Sequence, residues 1–124
     1  LKITIEMSEG AYEIAKKVFS GVYSRVEGKI LIAQRTGMNE GSAQDFITIF
    51  LAMMDGKVYK RAFNNATNKY LLESIRRDYG NEVWLKALSA AEKHINYYST
   101  LGKGNLTGYQ QIVDEMKNQL RAYG

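Results

Sequence analysis

Not one of the 124 residues is proline. At an average usage of about 5%, a chain of this length would carry roughly six. Proline locks φ and removes a backbone donor, so a chain without it has few forced breaks and leans towards helices. Punctuation falls to glycine and asparagine instead, at Gly21, Gly37, Gly56, Gly80 and Gly102. Between these marks the apolar residues recur at spacings of three and four.

That pattern predicts an all-α fold of about six helices in one domain spanning residues 1–124. A first helix over 9–20 takes Ser8 as its cap and turns Tyr12, Ala15, Val18 and Phe19 inward. A second starts at Ser24, where Glu27 completes a capping box, and buries Val26, Ile30 and Ala33 before Gly37 stops it. The third runs from near Ser42 to Gly56 on Phe46, Ile49, Phe50 and Met53. The fourth begins at Asn64 or Asn65 and ends at Gly80, the fifth is capped by Asn81 and reaches Leu101, and the sixth opens near Leu106 or Thr107. Ahead of them "LKITIEM" alternates Leu1, Ile3, Ile5 and Met7, which reads as a short extended segment without a partner strand.

Composition removes several kinds of chemistry. The absence of cysteine excludes disulfides, thiolate metal sites and a cysteine nucleophile, and it suits a reducing cytoplasm. No apolar run approaches the roughly 20 residues of a membrane helix. His94 is the only histidine, so zinc-ligand spacing does not arise, and its place beside Ile95 predicts a surface or groove-edge side chain. "GKGNLTG" lacks phosphate-loop spacing and reads as a connection. Nothing supports catalysis, a metal or another cofactor, so the expectation is a non-enzymatic binding domain.

The net charge of +4 is unevenly spread. Residues 1–55 hold six basic and seven acidic groups, while residues 79–124 hold five and four. Residues 56–78 hold Lys57, Lys60, Arg61, Lys69, Arg76 and Arg77 against only Glu73 and Asp78. A localised excess attracts phosphate or an acidic partner; a solvated helix face carries the same signature. In "GKVYKRAFNNATNKY" the cations interleave with Tyr59, Phe63, Tyr70, Asn64, Asn65 and Asn68, a mixture suited to holding phosphates and stacking bases. Packing of those aromatics in the core is the competing reading.

The segment 24–55 also matches a helix–turn–helix. Ile32 and Ala33 precede Gly37 in the turn, and Met38, Ala43 and Phe46 follow it. In that reading Arg35, Asn39, Ser42 and Gln44 face DNA, with Lys29 nearby. Glu40 and Asp45 oppose it, and an ordinary helical corner has the same spacing.

The phrases "GMNEGSAQDFITIFLAMMDGKVYKR", "NKYLLESIRRDYG" and "ALSAAEKHINYYSTLG" resemble the helical domain that precedes the nuclease domain in some bacterial HNH-type restriction-like endonucleases, over about residues 12–106. The resemblance implies a DNA-binding, target-recognition role, with residues 37–43, 59–61 and the Asn-rich helix start towards nucleic acid. It also implies a nuclease domain elsewhere, in the parent chain or a partner, because an HNH centre needs several histidines and His94 stands alone. A protein-interaction or homodimerisation module, served by the nine tyrosines and the N-terminal segment, is the alternative.

Overall fold

Thr4 decides where the first helix starts. In the computed structural model, which describes residues 2–123, Thr4 is extended and its Oγ1 accepts from the Met7 amide at 3.1 Å. Helix α1 therefore spans Ile5–Phe19 and absorbs half of the expected extended segment; Leu1 lies outside the described residues. Ile3 and Met7 are four apart and both pack on the core, whereas Ile5 between them is exposed. Over so few residues, alternation and a helical repeat share positions. Ser8, expected as the cap, is instead buried inside α1, where its hydroxyl meets Thr67 Oγ1 at 3.1 Å and donates to Thr4 O.

The remaining elements are α2 (Arg25–Thr36), α3 (Glu40–Asp55), α4 (Asn65–Tyr79), α5 (Asn81–Ser99) and α6 (Thr107–Tyr123), with no strand among the described residues. Ser24 and Glu27 close the expected capping box on α2, and Asn64 caps α4. Asn39 caps α3, starting it earlier than Ser42. Asn81 is the first residue of α5 rather than its cap: Gly80 holds that place with no side chain to offer.

Side-chain contacts give the directions. Gly28 meets Val18, and Thr36 approaches Gly10, so α1 and α2 run antiparallel. Thr67 meets Ser8, and Tyr79 meets Phe19, so α4 runs parallel to α1. The extended segment 57–64 returns the chain from the C-terminal end of α3 to the start of α4. Helix α5 folds back along α4, and α6 again follows α4, with Gly108 against Asn65 at one end and Gln119 against Arg76 at the other. Tyr12, Phe46, Phe50, Trp84 and Tyr109 are the bulkiest members of one continuous core. Tyr12 ties α1 to α4 through its hydroxyl, which donates to Asp78 Oδ2 at 2.8 Å and to Ser74 O at 3.1 Å. Burial first, then this carboxylate, raises the Tyr12 phenol far above its ordinary value.

The helix–turn–helix expectation holds in its turn and fails in its crossing. Gly37 adopts φ 80°, a left-handed conformation open to glycine, and Ile32, Met38, Ala43 and Phe46 are buried around the corner. Steep crossing, however, would carry positions nine residues either side of the turn roughly 20 Å apart, since each arm rises about 1.5 Å per residue. A Cβ placed on Gly28 would lie 3.2 Å from Ile47, and Arg25 hydrogen-bonds Thr48. Helices α2 and α3 thus lie side by side along their length as a helical hairpin.

This closeness turns α2 around. Its buried residues are Gly28 and Ile32, whereas Val26 and Ile30, expected inside, are exposed and Ala33 is half-buried. The same atoms yield a prediction. In Gly28→Ala the new methyl would lie 2.5 Å from Val18 Cγ2. Overpacking of about 1–3 kcal/mol should outweigh the gain of up to about 1 kcal/mol in helix propensity. A urea melt should show a lower midpoint with an unchanged slope.

Candidate functional site

The segment 57–64 has no regular backbone hydrogen bonding, so side chains must hold it. Tyr59 is its anchor, 3% exposed, with its hydroxyl 2.6 Å from the Tyr109 hydroxyl of α6. His94 of α5 stacks on the Tyr59 ring at 4.4 Å and 12°, and its Nδ1 lies 2.6 Å from Tyr59 O. With Nδ1 protonated, that contact is a donation to the carbonyl. Burial pushes both phenols well above their ordinary value and pushes the His94 imidazole down. Phe63 packs on Phe46, and Asn68 Nδ2 donates to Phe63 O. Lys93 Nζ donates to Gly56 O at 2.7 Å.

Once Tyr59 and Phe63 turn inward, their neighbours must turn out. Lys57, Lys60 and Arg61 are exposed, and Lys60 Nζ sits 5.5 Å from the centre of the Tyr97 ring. Helix α5 adds Lys86, whose backbone abuts Gly56, and Lys93. Lys86, Lys93 and Tyr97 fall on one helix face, because seven and eleven residues are close to two and three turns. The result is a strip roughly 17 Å long on α5, at 1.5 Å per residue, with Lys60, Lys86 and Lys93 along it, while Lys57 and Arg61 extend the positive charge from segment 57–61 towards α3. Its ion-paired acidic neighbours are Asp55, 3.3 Å from Lys57, and Asp45, 3.8 Å from Arg61, and Glu82 stands one turn before Lys86 on the same face of α5. The lysine and arginine of these pairs are 74% and 75% exposed at the side chain, so both pairs are weak and exchange readily for an external anion.

The other expected site residues are placed differently. Tyr59 and Asn68 are buried. Asn64 is spent on its cap and on Ile3 O, and Asn65 lies against Gly108. Asn39 Oδ1 accepts from the Ser42 amide at 2.8 Å, removing both groups from the start of α3 as free partners. Ser42 is half-buried, whereas Gln44 is exposed and borders Arg25, Val26 and Lys29. Short amide side chains ahead of helices serve as caps, and that role shares its sequence signature with base contact. Arg76 lies 4.2 Å over the Trp84 ring and reaches Asn81 and Gln119. Arg77 grips Asp78 through two bonds of 2.8 and 3.0 Å, and with Tyr12 and Lys16 it holds that carboxyl far below the usual range. Arg35 lines a cleft of about 400 Å³ between α1 and α2 that also presents Glu6 and Glu13, carboxylates that oppose a phosphate there. Lys69 is exposed on α4.

The expected cations therefore divide. Lys57, Lys60 and Arg61 are brought together, while Arg35, Arg76 and Arg77 are engaged elsewhere. Lys86 and Lys93 were missed, since a helix face is assembled from residues that local charge counting separates; their i, i+7 spacing was the available signal. His94, expected at a surface or groove edge, is fully inside, because the return of segment 57–64 covers α5.

Among the described residues, no group of three or more His, Cys, Asp or Glu is placed to hold a metal, and no helix is long and apolar enough to cross a membrane. Comparison with protein-family models, curated proteins and solved structures gives no match.

Proposed function

We propose that the protein is a non-catalytic DNA-binding module that grips the phosphate backbone along the strip formed by residues 57–61 and α5. The observation that carries this reading is the alignment of Lys57, Lys60 and Arg61 on the anchored segment with Lys86 and Lys93 on the adjoining face of α5, Lys60 lying over the Tyr97 ring and the ion pairs of Lys57 and Arg61 exposed to solvent. Exposed cations above a packed anchor can contact phosphates without reading sequence. The side-by-side packing of α2 and α3 argues for backbone contact over insertion of a recognition helix. The resemblance to the helical part of restriction-like endonucleases supports a duplex substrate, with a nuclease domain acting on the bound DNA.

Neutralising four or five phosphates should make log affinity for a short duplex fall with log salt at a slope of about −4. Replacing Lys60 and Arg61 together by alanine should weaken every duplex tested and flatten that slope by about two. Fluorescence anisotropy titrations between low and moderate salt measure both. An affinity indifferent to salt, or unaltered in the folded double variant, rejects the strip as the contact surface.

A further inference from the structure

The sequence gives α2 an apolar face that the fold leaves uncovered. Val26 is 60% and Ile30 40% exposed, and Val22, in the bend before the Ser24 cap, is 63% exposed. Helix α2 packs on α1 and α3 with its Gly28–Ile32 side, so this second face points away from the core. Beside it, Arg25, Val26, Lys29 and Gln44 enclose a hollow of about 140 Å³ between α2 and α3. Pockets for small ligands and cofactors start at about 300 Å³, so this hollow suits one aliphatic side chain.

We infer that the α2–α3 groove is a docking site for a single amphipathic helix of a partner protein, with an apolar ridge flanked by acidic residues. Charge selects the flank. Arg25 bonds only the neutral Thr48 hydroxyl and has no carboxylate partner among the described residues. Lys29 shares Glu40 at 3.7 Å, and that carboxylate is 64% exposed, so it can give way to a partner's. Size selects the occupant. Val26 and Ile30, the exposed aliphatic side chains of this helix face, amount to a patch on the order of 150–200 Å², well short of the ~800 Å² per partner of a stable protein dimer, yet suited to the anchors of a docked helix. An aliphatic anchor in the hollow and a carboxylate on Arg25 supply the buried centre and polar rim that such small interfaces need.

The probe is a fluorescein-labelled synthetic 18-residue helix with a leucine ridge flanked by glutamates; the control carries lysines in their place. Anisotropy should show the glutamate peptide binding at least about tenfold more tightly than the lysine peptide. Val26→Glu with Ile30→Glu should abolish that binding, and Arg25→Ala should weaken the glutamate peptide selectively. All three positions are exposed, so circular dichroism should show intact folds. The Lys60→Ala, Arg61→Ala variant should keep peptide binding, which separates this inference from the DNA reading. Equal binding of the two peptides, or retention by the Val26→Glu, Ile30→Glu variant, would overturn it. So would sedimentation as a dimer that the latter variant dissociates, since a second copy would then occupy the face.

Discussion

Replacing Tyr59 by alanine should cost about 3–5 kcal/mol of stability, the usual loss for a large aromatic removed from a core. Under the proposed DNA-binding function, it should also weaken duplex binding sharply at temperatures where the variant is still folded. Three things go at once: the stack on His94, the contact with the Tyr109 hydroxyl, and the weight that holds segment 57–64 on α5. Lys57, Lys60 and Arg61 would then be tethered by a loose loop, and the entropy of ordering them would fall on the binding step. A milder series separates the contributions. Tyr59→Phe leaves the Tyr109 hydroxyl buried and unpaired, at about 1–3 kcal/mol, and Tyr109→Phe does the same in reverse. The double variant should recover much of that loss, because two apolar groups replace a bonded pair. Denaturant melts of the four proteins give the coupling. Additive single effects would show that the two hydroxyls do not sustain one another.

How far the sequence foretold this site can be seen in the same residues. Helices α3, α4 and α5 were legible because Phe46–Met53, Leu71–Ile75 and Trp84–Ile95 repeat at helical spacing; Gly56 and Gly80 end the first two, whereas α5 stops at Ser99, ahead of the expected Leu101. The cap at Ser24 was legible because its chemistry is local and reciprocal. Helix α2 was not, since it carries two apolar faces, and only the contact of Gly28 with Val18 and Ile47 chooses between them. The steepness of the α2–α3 corner was equally hidden: the turn residues are common to hairpins and helix–turn–helices, and the crossing is set by what packs ten residues away. In the basic segment, the cations were visible but their company was not. Whether a tyrosine between two lysines stacks on a base or on a buried histidine depends on α5 and α6, which lie 35 and 50 residues further along.

Acidification should test the anchor from its other side. His94 is the only histidine, and no other side-chain type ordinarily changes charge between pH 5 and 8. In the fold its ring faces Tyr59 from the extended segment, Tyr98 from α5 and Tyr109 from α6, none of them charged at these pH values. Its Nε2 is buried without a partner among the described residues. A proton there would be a charge sealed among aromatic rings, and burial accordingly lowers the imidazole pKa from 6.5, with the bond to Tyr59 O a smaller opposing influence. The unfolded chain then binds the proton first. Stability is complete above about pH 6.5 and declines below it, with a slope approaching about 1.4 kcal/mol per pH unit until the folded protein itself protonates. Asp78 acts in a separate window. Its depressed carboxyl stabilises the fold above the ordinary carboxylate range, and that contribution is lost only as pH falls through about 4 and below. Denaturant melts from pH 7.5 to 5 should show the decline, and His94→Asn should flatten it whatever its effect on absolute stability. A wild-type profile that is level across this range would mean that His94 takes up its proton inside the fold at no cost, and that Tyr59 is held by something other than a neutral imidazole.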